Sequence, residues 1–166
     1  MNLVARAKGI LTSPREEWPL IDAEPLDLGE LLTKYVLPLA AIGPIATFIG
    51  WSAFGMGIFR IPVGTAFMMA ITSYILAIAG LFLVAWIANA LAPSFGATQS
   101  MPQAIKLIAY ASTAAWVAGI FGLIPALSII AVIGGLYTLY LCYLGIPVLM
   151  KAPADKAMVY TIVIIV

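Results

Sequence analysis

The chain has 166 residues, 64% of them hydrophobic and only 9% charged, with a net charge of +1. A soluble domain carries about 25% charged residues to meet water at its surface, so this composition belongs to a membrane, and near-neutrality argues against nucleic acid, which needs a basic footprint. There is no histidine, and the single cysteine, Cys142, lies in an apolar segment; this removes the commonest zinc and haem ligands and any disulfide framework, and no cofactor is expected.

The charges sit outside the long apolar stretches. None falls between Lys34 and Arg60, between Arg60 and Lys106, or between Lys106 and Lys151, gaps of 25, 45 and 44 residues. About 20 apolar residues cross a bilayer. The chain therefore reads as an all-α, polytopic membrane helix bundle.

Residues 1–34 hold six of the seven acids and half of the basic residues, so they form a segment in water or at the interface. Arg6 and Lys8 interrupt Leu3–Leu11, and no long apolar run follows before Pro14, unlike a signal peptide. The segment is expected to stay in the mature chain. Leu3, Ala7, Ile10 and Leu11 recur at helical spacing, which predicts a short amphipathic helix ending before Pro14. Such a helix lies in the interface or docks on its own protein. Trp18, among Pro14, Pro19 and Pro25, reads as an interfacial anchor. Glu16, Glu17, Asp22, Glu24, Asp27 and Glu30 read as a solvated or partner-docking strip on a flexible segment rather than a metal site.

The transmembrane domain is expected over 35–166. Its first span covers about 35–54, with Pro38 and Pro44 kinking the first turns. A loop around Arg60 and Pro62 leads to a long second span, 64–91. The 93–102 segment is the clearest loop. The region after Lys106 would make ~66 Å of continuous helix, about twice the ~30 Å hydrocarbon core. It must break, and Pro125 divides it into spans at 103–123 and 126–150, joined as an antiparallel hairpin. A fifth segment begins near Ala157 and is incomplete at Val166. Five segments put Arg6, Lys8, Arg15, Lys34, Lys106, Lys151 and Lys156 on one side and only Arg60 on the other. By the positive-inside rule the N-terminus is then cytoplasmic.

Several stretches resemble a known family. They are Lys8-Gly-Ile-Leu-Thr-Ser-Pro14 with Trp18, Ala92-Pro93-Ser-Phe-Gly96, and Ile108-Ala-Tyr-Ala-Ser112 running to Ile124-Pro125. The most specific is Leu136-Tyr-Thr-Leu-Tyr-Leu-Cys-Tyr-Leu-Gly-Ile-Pro147, followed by Lys151 and Asp155-Lys156-Ala157. Together they resemble the compact bacterial branch of the Yip1-domain integral membrane proteins. The resemblance implies Rab-type GTPases and vesicle traffic for eukaryotic members, through a long cytoplasmic N-terminal region. Only residues 1–34 stand there in this chain, and Lys34-Tyr-Val-Leu-Pro38 is an echo of the acidic Asp-Leu-Tyr-Gly-Pro motif. For bacterial members the resemblance implies a fold and no activity.

Inside the spans, small residues recur four apart: Ala46/Gly50, Ala66/Ala70, Ala111/Ala115/Gly119, Ala118/Gly122 and Ala131/Gly135. Lipid offers helices no hydrophobic reason to associate, so close backbone approach matters more there. Gly50, Ala115, Gly119, Gly122 and Gly135 are therefore candidates for helix packing or an oligomer seam. Tyr110, Tyr137, Tyr140, Tyr143, Gly145 and Pro147 join them, with tyrosine hydroxyls either bonding neighbouring helices or lining a polar groove. No nucleophile–base pair stands out, so an enzyme is not expected. No ionisable residue marks an ion path in mid-span. The leading expectation is a non-enzymatic inner-membrane protein whose partners are lipids, other integral membrane proteins or a second copy. An accessory subunit of a larger complex and a small-solute channel or transporter are the alternatives.

Overall fold

A computed structural model describes residues 2–55, 60–127 and 129–165, which contain helices and no strand. Helix α1 (Leu3–Thr12) starts at Asn2, whose side-chain oxygen accepts from the Ala5 N–H at 3.1 Å. It ends where Ser13, preceding a proline, leaves the helical region. Helix α2 (Pro14–Ala23) begins with that proline at its first position and carries Glu16 and Glu17 in its first turn. Both features suit a helix N-terminus. Extended Glu24, ahead of Pro25, stops it.

Among the described residues, four helices are long and apolar enough to cross a membrane. The first, α3 (Leu28–Phe54), starts seven residues before the expected Tyr35. Asp27 caps it by accepting from the Glu30 N–H at 2.9 Å, and Glu30 pairs with Lys34 one turn on at 3.0 Å. Charges that satisfy each other on an exposed first turn do not end a helix. A widened π-type turn at Leu32–Val36 precedes Pro38, relieving the clash a proline ring makes with the preceding turn. Gly55 closes the helix at φ 60° and ψ −161°, a backbone region essentially restricted to glycine.

Helix α4 (Val63–Leu91) extends through a 3-10 turn to Phe95. Helix α5 (Met101–Leu123) tightens to 3-10 over its last turn, and a short turn at Pro125–Leu127 leads towards α6 (Ile129–Leu149). Helix α7 (Ala154–Ile165) has 12 residues, or ~18 Å, and cannot cover a ~30 Å core. The described residues thus provide four spanning helices, and α7 covers the stretch where a fifth, incomplete segment was expected.

Spans successive in the chain alternate in direction. Tyr74 of α4 donates to the Leu37 carbonyl at 3.1 Å, while Phe67 meets Phe48 edge-on, so α3 and α4 are antiparallel. Leu107 lies near Gly145, and Ala114 near Gly134, which makes α5 and α6 the expected antiparallel hairpin. Tyr35 meets Tyr110 and Thr113, whereas Gly43 meets Gly119; α3 and α5 run parallel. All seven acids therefore gather at the end of the bundle where α1 and α2 dock.

Candidate functional site

That end of the bundle is closed by a polar clamp. Lys106, on the first turns of α5, is almost fully enclosed at 4% exposure. Its ammonium donates to the carbonyls of Ile21 at 2.7 Å, Asp22 at 3.3 Å and Glu24 at 2.8 Å. These lie at the C-terminal end of α2, where carbonyls lack helical partners and the helix dipole favours a cation. The Asp22 carboxylate takes Gln103 Nε2 at 2.9 Å on one oxygen and Lys151 Nζ at 2.5 Å on the other. Lys151 also donates to the Val148 carbonyl at 2.6 Å from a left-handed backbone, φ 54°, a conformation uncommon outside glycine. Asp22 thereby ties α2 to both α5 and the end of α6.

Arg6 makes the second half of the clamp. Its guanidinium pairs with Glu17 at 2.6 Å and with Glu24, and it lies 5.8 Å from the centre of the Tyr110 ring. Burial opposes the Arg6 charge, but Glu24 and Glu17 outweigh it and hold the group above its ordinary pKa. The acidic segment, expected to be flexible and solvated, is folded onto the bundle by these cations. A cavity of about 730 Å³ remains open beside it, lined by Arg6, Glu17, Glu24, Asp27 and Glu30 together with Asn2.

The apolar half of the dock is Trp18, which has no exposure. It is not an interfacial anchor. Its indole fills the space that Gly145 leaves on α6, where an added Cβ would stand 2.8 Å from the ring and 2.6 Å from Leu107. The indole nitrogen is buried without a hydrogen-bond partner. Tyr137, further down α6, donates to the Leu11 carbonyl at 2.8 Å and secures the end of α1.

A family model described as the Yip1 domain matches residues 8–166. The chain belongs to the Yip1-domain family. Among curated proteins it is similar to the inner membrane protein YohC of Escherichia coli K12, with 26% identity over 92% of this chain and 83% of that protein. The YohC protein of Escherichia coli O6:H1 strain CFT073 matches to the same extent. No solved structure matches.

Within this Yip1 domain the candidate residues fall into separate groups. Gly119 meets the Gly43 backbone, where an added Cβ would lie 2.7 Å from the Gly43 Cα. Gly50 abuts the carbonyls of Gly122 and Leu123, and Gly122 in turn faces Thr47. These three glycines hold the parallel α3–α5 contact. Ala115 is half-buried beside the same contact and lines a groove between α3 and α4. Gly135 faces open space, and its neighbour Gly134 is the residue pressed against Ala114 and Ala118. The four-residue spacing Ala131/Gly135 marks Gly135, whereas the helix contact within the chain is made by its neighbour Gly134.

Tyr110 is buried against Tyr35, with ring centres 4.8 Å apart. Tyr137 and Tyr140 rings are 5.6 Å apart, but Tyr140 and Tyr143 point outward at 41% and 37% exposure. Pro147 sits inside the last turn of α6, beside the clamp rather than in it. The clamp residues Lys106, Asp22 and Lys151 escaped sequence reasoning as a group. Their one signal was Lys106, the only charge in the apolar region from Ile61 to Met150.

Proposed function

We propose that this Yip1-domain protein is non-enzymatic and works as a contact platform at one membrane surface, where the clamped α1–α2 pair meets lipid headgroups or another integral membrane protein. The observation that carries this reading is the clamp itself. Every charge within the four spans lies at that one end, and Lys106 is spent on holding α2 in place. Glu17, Glu24, Asp27 and Glu30 border an open groove.

Helix lengths support the position of that surface. Measured from Val63, a ~30 Å core ends about 20 residues along α4, shortly before exposed Trp86. Outward-facing Tyr140 and Tyr143, Trp86 and Lys34 then make an interfacial belt, and the ends of α4 and α6 rise above it to receive α1 and α2. Residues 1–34 act as the interfacial segment and 35–166 as the transmembrane domain, with α7 entering as a fifth segment beside Ala88 and Phe95. The excess of basic residues on this side supports a cytoplasmic N-terminus, and the E. coli relative supports an inner membrane.

Gentle detergent extraction followed by mass spectrometry of co-purifying proteins tests the reading. A membrane-protein partner lost when Glu17, Glu24, Asp27 and Glu30 are changed to Gln supports it. A partner retained by that variant, or headgroup binding and partner both absent, overturns it. Cysteines in the 93–102 loop that react only from outside the cell overturn the orientation.

A further inference from the structure

The opposite half of the bundle holds a feature that the contact role does not use. Helix α4 buries Ala66, Leu81, Ala85 and Ala88, so three of its four buried positions lie towards its C-terminal end. Its first half stands away from α5. The wedge left between α3 and α4 is a groove of about 300 Å³, with Phe48 and Trp51 on one wall, Met69 and Ser73 on the other, and Trp116 at its inner end. Small side chains at Gly43, Ala66 and Ala70 keep it open.

Its length and its mouth identify an occupant. From Ala66 to Ala77 the groove follows ~16 Å of helix at 1.5 Å per residue, about half of the ~30 Å hydrocarbon core. That is the depth of one leaflet. At the mouth, the Ile61 N–H donates to the Trp51 carbonyl at 3.4 Å, and both residues line the groove. Arg60, next to Ile61 in the chain, is exposed and is the charged neighbour of the mouth. All seven acids lie at the far end of the bundle, so Arg60 has no carboxylate on its side of the membrane. A guanidinium in that position matches the geometry of a phosphate.

We infer that this groove holds one glycerophospholipid of the leaflet opposite the clamp, with an acyl chain between α3 and α4 and its phosphate on Arg60. Apolar walls with one convergent polar group are the usual makeup of a small-molecule site. The site is independent of the platform role proposed above, and either can fail without the other.

The test uses the full chain in phosphatidylcholine vesicles containing phosphatidylglycerol that carries a photoactivatable group on its acyl chain. After irradiation, adducts are mapped by mass spectrometry. They are expected to concentrate on Phe48, Met69 and Ser73 over the exposed side chains Val132, Ile133 and Leu136 of α6. Arg60→Gln should lower groove labelling about tenfold, equivalent to ~1.4 kcal/mol, and Ala70→Phe should abolish it by filling the space. Should Ala70→Phe fail to yield protein of normal size, Arg60→Gln, an exposed change outside the spans, carries the test alone. Labelling spread evenly over both faces, labelling unchanged in Arg60→Gln, or a groove cross-linked to a second copy in place of lipid overturns the assignment.

Discussion

Lys106 of α5 donates to the Ile21 carbonyl at 2.7 Å, across 85 positions of sequence. A lysine buried in a span end is thus employed as the cap of another helix. Lys106→Met keeps the aliphatic stem and removes the three donated bonds. Because bonds to a charged group contribute ~1.5–3 kcal/mol each in isolation and their losses overlap, we expect α2 to release before the bundle unfolds. Hydrogen exchange over 14–24 should rise sharply while exchange over α5 and α6 stays slow. Protection of 14–24 equal to wild type would refute the capping role.

Trp18 packs on Gly145 through shape alone, since its indole nitrogen has no partner. Trp18→Ala should cost ~3–5 kcal/mol, the range for emptying a buried aromatic site. Trp18→Phe should cost much less, because it surrenders volume but no hydrogen bond. Gly145→Val should match Trp18→Ala by expelling the ring. Thermal unfolding in detergent ranks the three, and a Trp18→Phe loss as large as Trp18→Ala would show that the indole nitrogen matters after all.

Gly119 and Gly135 give opposite forecasts from similar sequence surroundings. Gly119→Leu forces α3 from α5 at the Gly43 backbone, and an overpacked contact costs ~1–3 kcal/mol or more. Gly135→Leu enters open space. Size-exclusion profiles should therefore degrade for Gly119→Leu and remain unchanged for Gly135→Leu. Aggregation of Gly135→Leu would instead point to a contact made by that face in an assembly.

Tyr35 and Thr113 share a buried hydroxyl pair at 2.7 Å between α3 and α5. Interhelical hydrogen bonds in membrane proteins average only ~0.6 kcal/mol by double-mutant cycles. The cycle of Tyr35→Phe with Thr113→Val should return a coupling of that size. A coupling near zero would leave the glycine contacts and the Tyr35–Tyr110 ring pair to hold the parallel α3–α5 packing.

The spanning helices were legible because lipid imposes two crude requirements, length and freedom from charge, that any reader of Lys34, Arg60, Lys106 and Lys151 can apply. Pro125 was legible for the same reason, since ~66 Å of helix cannot be housed in a ~30 Å core. The start of α3 was misplaced because Glu30 and Lys34 look like a loop one at a time and like a helix only as an i,i+4 pair. Helix α2 was legible in principle from Pro14 with Glu16 and Glu17 behind it, but its prolines suggested disorder. Beyond Lys106, the lone charge of its apolar region, the clamp was not legible. Nothing local in Asp22 or Lys151 announces a partner more than a hundred residues away, and Trp18 looks the same in sequence whether it faces headgroups or Gly145.

The distance spanned by the clamp also dictates an order of events during synthesis. Asp22 is joined to Lys151 across 129 positions, and ribosomes add ~5–20 residues per second. The first helices therefore wait ~6–26 s for the last of their docking residues to be made. A chain that stops short of α6 leaves Trp18 without Gly145 and Asp22 without Lys151, while one that includes α6 and Lys151 encloses the tryptophan. Docking of the N-terminal pair is thus a late event that must follow the insertion of α6.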